Sequence, residues 1–318
     1  MAYPNSPQWK NGRFENPPDW PRRSTYWDFF RWQLSGRPRP APGFRPPTVD
    51  NDGAQLRADR RTPSVTWIGH ATLLVQSGDF SVITDPVFAS RVGLLRRTAP
   101  PGVPLAGLPP LDLCIVSHNH RDHLDTDSIR ALGPEVTYVA PLGLSRLLRS
   151  LGVFRVIELD WWQSSTVMGR SGGVAEVTLL PAQHWSQRGP FDGNQSLWGG
   201  FHLALPGANV YFAGDTGYPA SFAEIGRRFP GIDFALLPIG AYEPRWFMKP
   251  QHLGPEDAAL AFGELGAQSI VPMHWGTFWL ADEPMHEPPI KLRTALGSEA
   301  HRMLELAIGQ THWAPAKR

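Results

Sequence analysis

Ser117-His118-Asn119-His120-Arg121-Asp122-His123 follows directly on an apolar run, residues 111–116 (LDLCIV), whose length and composition suit a buried β-strand. The chain leaves that strand and at once offers three imidazoles and a carboxylate. On a tight turn, His118 and His120 can point to one side, with Asp122 and His123 towards a neighbouring position. Neutral imidazole nitrogen and carboxylate oxygen suit zinc and similar divalent ions. Two ligand pairs side by side predict two metals. A solvated, histidine-rich loop would explain one isolated imidazole; it explains poorly four ligand-type residues after a strand, with more at later strand ends.

Working outward, apolar segments alternate with helical ones. Strands are predicted over 65–68, 73–75 and 80–83, the last ended by Thr84-Asp85-Pro86. Asp85 is either a turn residue or a carboxylate accepting a hydrogen bond from a metal-binding histidine. Short helices are expected over 127–132 and 142–151, with strands over 136–139 and 155–159. The strand 174–180 delivers His184, and the strand pair 197–205 and 209–212 delivers Asp215 within Gly214-Asp215-Thr216-Gly217. The strand 232–239 leads to Tyr242 and Arg245. Gln251 and His252 precede a helix over 255–265, the strand 269–273 delivers His274, and 289–308 reads as mostly helical. Every metal-type residue falls at a strand end, where α/β folds place their sites. Strands followed by helices, seen twice, fit two packed α/β halves with their sheets face to face.

Residues 1–60 are different: rich in Pro, Arg and aromatics, with little periodicity. Residues 26–34 (YWDFFRWQL) can form a short helix, expected to pack on the domain as a strap in preference to meeting a membrane interface, and 36–47 is a proline-rich linker. The division predicted is therefore a strap over 1–60 and a catalytic domain over 61–318.

Composition excludes several classes. With 30 basic and 29 acidic residues the net charge is +1, so no electrostatic argument favours nucleic acid. The single cysteine, Cys114, lies in the apolar strand and is expected to be a small core residue, so a disulfide scaffold is excluded. The N-terminus lacks a charged region followed by an apolar core, and no run reaches the roughly eighteen apolar residues of a membrane span. A cytoplasmic protein is expected, peripheral to the inner face of the membrane at most.

His118-x-His120-x-Asp122-His123 with His184, Asp215 and His274 resembles the metallo-β-lactamase superfamily signature. Longer strings narrow this: Trp67-Ile68-Gly69-His70-Ala71-Thr72, Phe212-Ala213-Gly214-Asp215-Thr216-Gly217-Tyr218, the stretch from Pro238 through Tyr242 and Arg245 to Lys249, Gln251-His252, and His274-Trp275-Gly276-Thr277-Phe278. These are similar to the N-acyl-phosphatidylethanolamine-hydrolysing phospholipase D family. The resemblance implies an α/β fold of the αββα sandwich type, two packed mixed sheets flanked by helices, over roughly 64–318. It implies two divalent metal ions, taken as zinc: one on His118, His120 and His184, the other on Asp122, His123 and His274, with Asp215 bridging. It implies a phosphodiesterase whose metal-shared water attacks phosphorus, so that N-acylethanolamine leaves and phosphatidic acid remains. Catalytic candidates are Asp122, Asp215 and His252, the last binding phosphate or protonating the leaving oxygen. Substrate-binding candidates are Tyr242, Arg245 and Gln251, with a structural ion pair the other reading of Arg245. A structural role is preferred for His70, and His202, His286, His301 and His312 are assigned none. Trp185, Trp198, Trp246, Phe247, Trp275, Phe278 and Trp279 are candidates for an apolar wall. The expected partner is a phospholipid; the oligomeric state is open, a homodimer included. Two alternatives stand beside this: a metal-dependent hydrolase of a soluble lactone or phosphodiester, and a lipid- or metal-binding module without turnover.

Overall fold

The computed structural model describes residues 3–36, 38 and 43–314, so part of the predicted linker lies outside the described residues. A short hairpin, β1 (Trp9–Lys10) and β2 (Arg13–Phe14), precedes helices α1 (Tyr26–Leu34) and α2 (Ala54–Ala58). Next come β3 (Ser64–Gly69), β4 (Thr72–Ser77), β5 (Phe80–Thr84), a small hairpin of β6 (Arg91–Val92) and β7 (Leu95–Arg96), β8 (Leu113–Ile115), α3 (Thr126–Leu132), β9 (Thr137–Pro141), α4 (Ser145–Ser150) and β10 (Val156–Leu159). The second half runs β11 (Ser164–Met168), β12 (Val174–Leu180), β13 (Gly200–Leu205), β14 (Ala208–Phe212), α5 (Phe222–Arg228), β15 (Phe234–Pro238), α6 (Arg245–Met248), α7 (Pro255–Leu265), β16 (Ser269–Met273), α8 (Glu287–Leu296) and β17 (Thr311–Trp313). Among the described residues no helix is long and apolar enough to cross a membrane.

Two mixed sheets form the centre, one of order β10-β9-β8-β5-β4-β3-β17 and one of order β11-β12-β13-β14-β15-β16. The continuous apolar runs are explained by burial of both faces. Leu113 and Ile115 of β8 point into the core shared by the sheets, while Cys114 and Val116 join Leu56 of α2, Ile129 of α3 and Leu148 of α4 on the opposite face. Leu73 and Val75 alternate with Leu74 of β4 in the same way. Cys114 is wholly buried, and burial pushes its thiol pKa well above the ordinary value, so it is the inert core residue the sequence suggested.

The C-terminal part departs from expectation. Helix α8 ends at Gly297, at φ 55°, and the chain passes through a 3-10 turn before pairing Thr311 with Thr66 as an edge strand. Strand β11 was also missed; its polar SSTVM sequence belongs to a largely exposed edge.

The pairings explain where the site forms. Strands β5, β8 and β9 are mutually parallel, as are β14, β15 and β16. β3 and β12 are each separated by one antiparallel strand from a member of these groups, so they run the same way. Their C-terminal ends therefore gather His70, Asp85, the 117–123 loop, His184, Asp215 and His274 at one edge of the sandwich.

At the end of the sandwich where β8 begins, a buried carboxylate fastens the layers. Asp112 accepts from Arg60 Nη2 at 2.5 Å, from the Ser81 amide at 2.8 Å and from the Arg170 amide at 2.7 Å. Replacing it would strand a buried cation and two amides. Asp112→Ala is expected to cost about 3–5 kcal/mol in chemical denaturation; a loss of less than about 1 kcal/mol would show that the carboxylate is not a tie.

Candidate metal centre

The loop after β8 is held from beneath by Asp85. Its Oδ1 accepts the Ser117 amide at 2.7 Å, and its Oδ2 accepts the Ser117 hydroxyl at 2.5 Å and His123 Nδ1 at 2.6 Å. The hydrogen bond from a motif histidine that the sequence left open is therefore present. Arg188 ties the loop from outside, donating to the carbonyls of Leu124 at 2.7 Å and Asn119 at 3.2 Å. Asn16, from the N-terminal segment, donates to the His184 carbonyl at 2.9 Å. His70, Asp85 and His274 all adopt positive φ, 57°, 33° and 63°, an unfavourable conformation for residues that carry a side chain.

Hydrogen bonds fix which ring nitrogens are free. Ser117 Oγ gives its proton to Asp85, so at 2.9 Å it accepts from His118 Nδ1, leaving His118 Nε2 a bare acceptor. His184 Nδ1 donates to the Gln251 carbonyl at 2.9 Å, leaving its Nε2 bare as well. Both bare nitrogens face His120 Nδ1, at 2.8 and 3.2 Å. Burial keeps all three rings hard to protonate: the pKa values of His118 and His184 lie well below the ordinary value, and that of His120 is pushed down to about 4. Lone pairs converging in a buried place fit a cation.

A second set lies beside it. His123 Nδ1 is committed to Asp85, so His123 Nε2 faces His274 Nε2 at 3.1 Å and Asp122 Oδ2 at 3.7 Å, and Asp122 Oδ2 is also 3.7 Å from His274 Nε2. Asp215 stands between the sets, 3.1 Å from His123 and from His274 and 3.9 Å from His184 Nε2. Burial disfavours charge on His274 and His123, but the surrounding carboxylates outweigh it. They hold His274 up at about 9 and His123 well above its usual value. A divalent ion neutralises such a buried carboxylate cluster and displaces those protons. The donor set therefore fits metal.

The sets open into a cavity of about 690 Å³ whose lining includes His120, Asp122, Asp215, Gln251 and His252. His252 Nδ1 is 3.8 Å from Asp215 Oδ2 and, among the described residues, buried without a hydrogen-bond partner. Tyr242 and Arg245 are not brought to this cavity. The Tyr242 hydroxyl donates to Glu287 Oε1 at 2.5 Å, whereas Arg245 pairs with Asp257 and reaches the His252 carbonyl at 3.3 Å. Their long side chains are consumed in fastening α6, α7 and α8, which the sequence could not distinguish from substrate contact.

The apolar wall also differs from expectation. Trp185 and Phe247 contribute, but Trp198 is buried with its Nε1 on the Ala182 carbonyl, and Trp275 stacks on Trp67 in the core. The remaining wall comes from α1, through Tyr26, Phe29, Phe30 and Trp32, and from Ala241, Met248 and Leu280. Trp32 stacks on Phe247 at 5.0 Å and donates to Asp282 Oδ2 at 2.6 Å, which docks the helix on the domain. Arg23, Arg121 and Arg188 add positive charge to the lining. No periodic pattern in residues 1–60 marks these contributions. His70, set aside as structural, lies with Nε2 3.2 Å from Asp122 Oδ2.

Comparison with known proteins agrees with this geometry. Residues 81–275 match the model of the beta-lactamase superfamily domain. The N-acyl-phosphatidylethanolamine-hydrolyzing phospholipase D 1 of Caenorhabditis elegans is 38% identical over 72% of this chain and 68% of its own length. The mitochondrial enzyme of the same description from Saccharomyces cerevisiae is 32% identical, covering 88% of this chain and 70% of its own. In fold, the metallo hydrolase Igni18 of Ignicoccus hospitalis superposes with a TM-score of 0.63 at 23% identity, covering 80% of this chain and all of that one. The chain is a metal-dependent hydrolase of the metallo-β-lactamase fold and belongs to the N-acyl-phosphatidylethanolamine-hydrolysing phospholipase D family.

Proposed function

We propose that the protein is a phosphodiesterase of phospholipase D type that cleaves N-acyl-phosphatidylethanolamine, or a closely related phospholipid, to phosphatidic acid and the N-acylethanolamine. The observation that carries this reading is the cavity itself: two adjoining ligand sets open into a space lined by arginines and aromatic rings. A phosphodiester needs the first two, and acyl chains need the third. On this reading His118, His120 and His184 would hold one zinc ion and Asp122, His123 and His274 the other, with Asp215 common to both. Such ions supply Lewis acidity towards phosphoryl oxygen and activate water.

The chain's own groups account for the rest. Water adds to phosphorus and the bond from phosphorus to the ethanolamine oxygen breaks, so the departing oxygen needs a proton. His252, with Nδ1 free beside Asp215, is the group placed to donate to that oxygen or to a phosphoryl oxygen. Gln251 holds His184 through its carbonyl and borders the cavity. Arg245 acts at one remove, steadying the His252 backbone. Residues 1–60 are taken as a strap that completes the catalytic domain over 61–318.

Helix α1 suits a lipid source for the substrate. Below the cavity-facing side it turns Trp27, 78% exposed, and Leu34, 86% exposed, to solvent, and Trp246 of the adjoining α6 is also exposed. Aromatic and aliphatic side chains presented beside a cavity mouth fit the interfacial region of a bilayer. The protein is accordingly read as peripheral to a membrane on the cytoplasmic side.

Product analysis by mass spectrometry tests the activity, using protein of measured metal content and N-acyl-phosphatidylethanolamine in mixed micelles. Phosphatidic acid and N-acylethanolamine are expected from the intact protein and not from His120→Ala. His252→Ala is expected to lower kcat by about 10²–10⁴-fold with metal content unchanged. A metal-loaded protein that leaves the lipid intact but opens lactones or soluble diesters would overturn the substrate assignment. For the membrane contact, the Trp27→Ser/Leu34→Ser double variant should lose at least about tenfold in vesicle binding while hydrolysing a short-chain, micelle-free phosphodiester as before. Unchanged sedimentation with vesicles would remove α1 from the interface.

A further inference from the structure

His70 occupies the corner of the hairpin between β3 and β4, in the left-handed conformation at φ 57°. Glycine or asparagine meets that demand at less cost than an imidazole. The backbone at this corner is fully engaged. The His70 amide donates to Thr277 Oγ1 at 2.7 Å, and its carbonyl accepts both Trp67 Nε1 and the His274 amide, each at 3.0 Å. None of these bonds uses the ring, so the hairpin and its tie to β16 do not explain why the residue is histidine.

The ring has its own place. It is buried, with its centroid 4.0 Å from that of His274 and 5.4 Å from that of His123, and Phe278 meets it edge-on at 5.3 Å. It makes no such contact with His118, His120 or His184. Its Nε2 lies 3.2 Å from Asp122 Oδ2, the same oxygen that faces His123 and His274. A carboxylate oxygen only accepts, so Nε2 carries the proton. Asp122 sits on a loop and, among the described residues, its side chain has no backbone amide holding it, unlike Asp85.

We propose that His70 is a positioning residue for one half of the metal centre: its Nε2–H holds the Asp122 carboxylate towards His123 and His274, so metal retention at that half, and not at the His118, His120 and His184 half, depends on it. The inference rests on the metal-centre reading above. Groups that orient a ligand typically change metal affinity by about 10–100-fold when removed.

The test is a metal titration with competing chelator, read by elemental analysis, on the full chain and two variants. His70→Asn suits the left-handed backbone but its shorter side chain cannot reach Asp122. His70→Gln places an amide N–H near the position of Nε2. The unaltered protein should bind two equivalents. His70→Asn should keep the first at unchanged affinity and bind the second about 10–100-fold more weakly, and His70→Gln should recover most of that loss. Equal weakening of both equivalents, or none, would overturn the proposal. Absence of metal binding by the unaltered protein would instead overturn the metal-centre reading. Side-chain NMR of the unaltered protein gives an independent readout should the Asn variant not fold: the His70 proton is expected on Nε2, and finding it on Nδ1 contradicts the proposal.

Discussion

Three carboxylates, Asp85, Asp122 and Asp215, are withdrawn from water among seven imidazoles at one edge of the sandwich, and the rest of the molecule is arranged to make that tolerable. Buried charge is costly unless it is compensated by hydrogen bonds and opposite charge. Asp85 spends its oxygens on Ser117 and His123. Asp122 and Asp215 have ring nitrogens around them, and their charge raises the pKa values of His123 and His274. The same concentration of carboxylate charge and imidazole nitrogen suits the cluster to a metal ion.

The fold serves this constraint through direction. Parallel pairing in both sheets sends the ends of β3, β5, β8, β12, β14 and β16 to the same edge, and short loops leave each ligand little freedom. Residues before β3 then finish the site. Asn16 grips the His184 carbonyl and α1 walls the cavity, so the N-terminal segment reaches both the imidazole cluster and the cavity.

Much of this was legible in the sequence because the signals are local. The 117–123 stretch, the strand ends bearing His184, Asp215 and His274, and the helix over 255–265 can be read from apolar runs and the residues that follow them. The features that escaped depend on distant partners. Tyr242 and Arg245 look like site residues in a linear string, yet Glu287 and Asp257 claim them from other helices. Of the aromatic candidates near the motif strands only Trp185 and Phe247 line the cavity, and α1 supplies the other rings. His70 reads as structural from its resemblance to a family position beside the core, and nothing near it in sequence shows that Asp122 lies across the fold. Edge strands β11 and β17 were missed because an exposed or half-exposed edge has no strong apolar alternation to detect.

The fate of the water oxygen tests the proposed phosphodiesterase activity most directly. Hydrolysis of N-acyl-phosphatidylethanolamine in water enriched in heavy oxygen, with both products analysed by mass spectrometry, distinguishes attack at phosphorus from attack at carbon. Attack at phosphorus leaves the heavy label in the phosphate of phosphatidic acid and none in the N-acylethanolamine hydroxyl, and this is the expected result. Label in the hydroxyl, or release of fatty acid in place of the two predicted products, would contradict it.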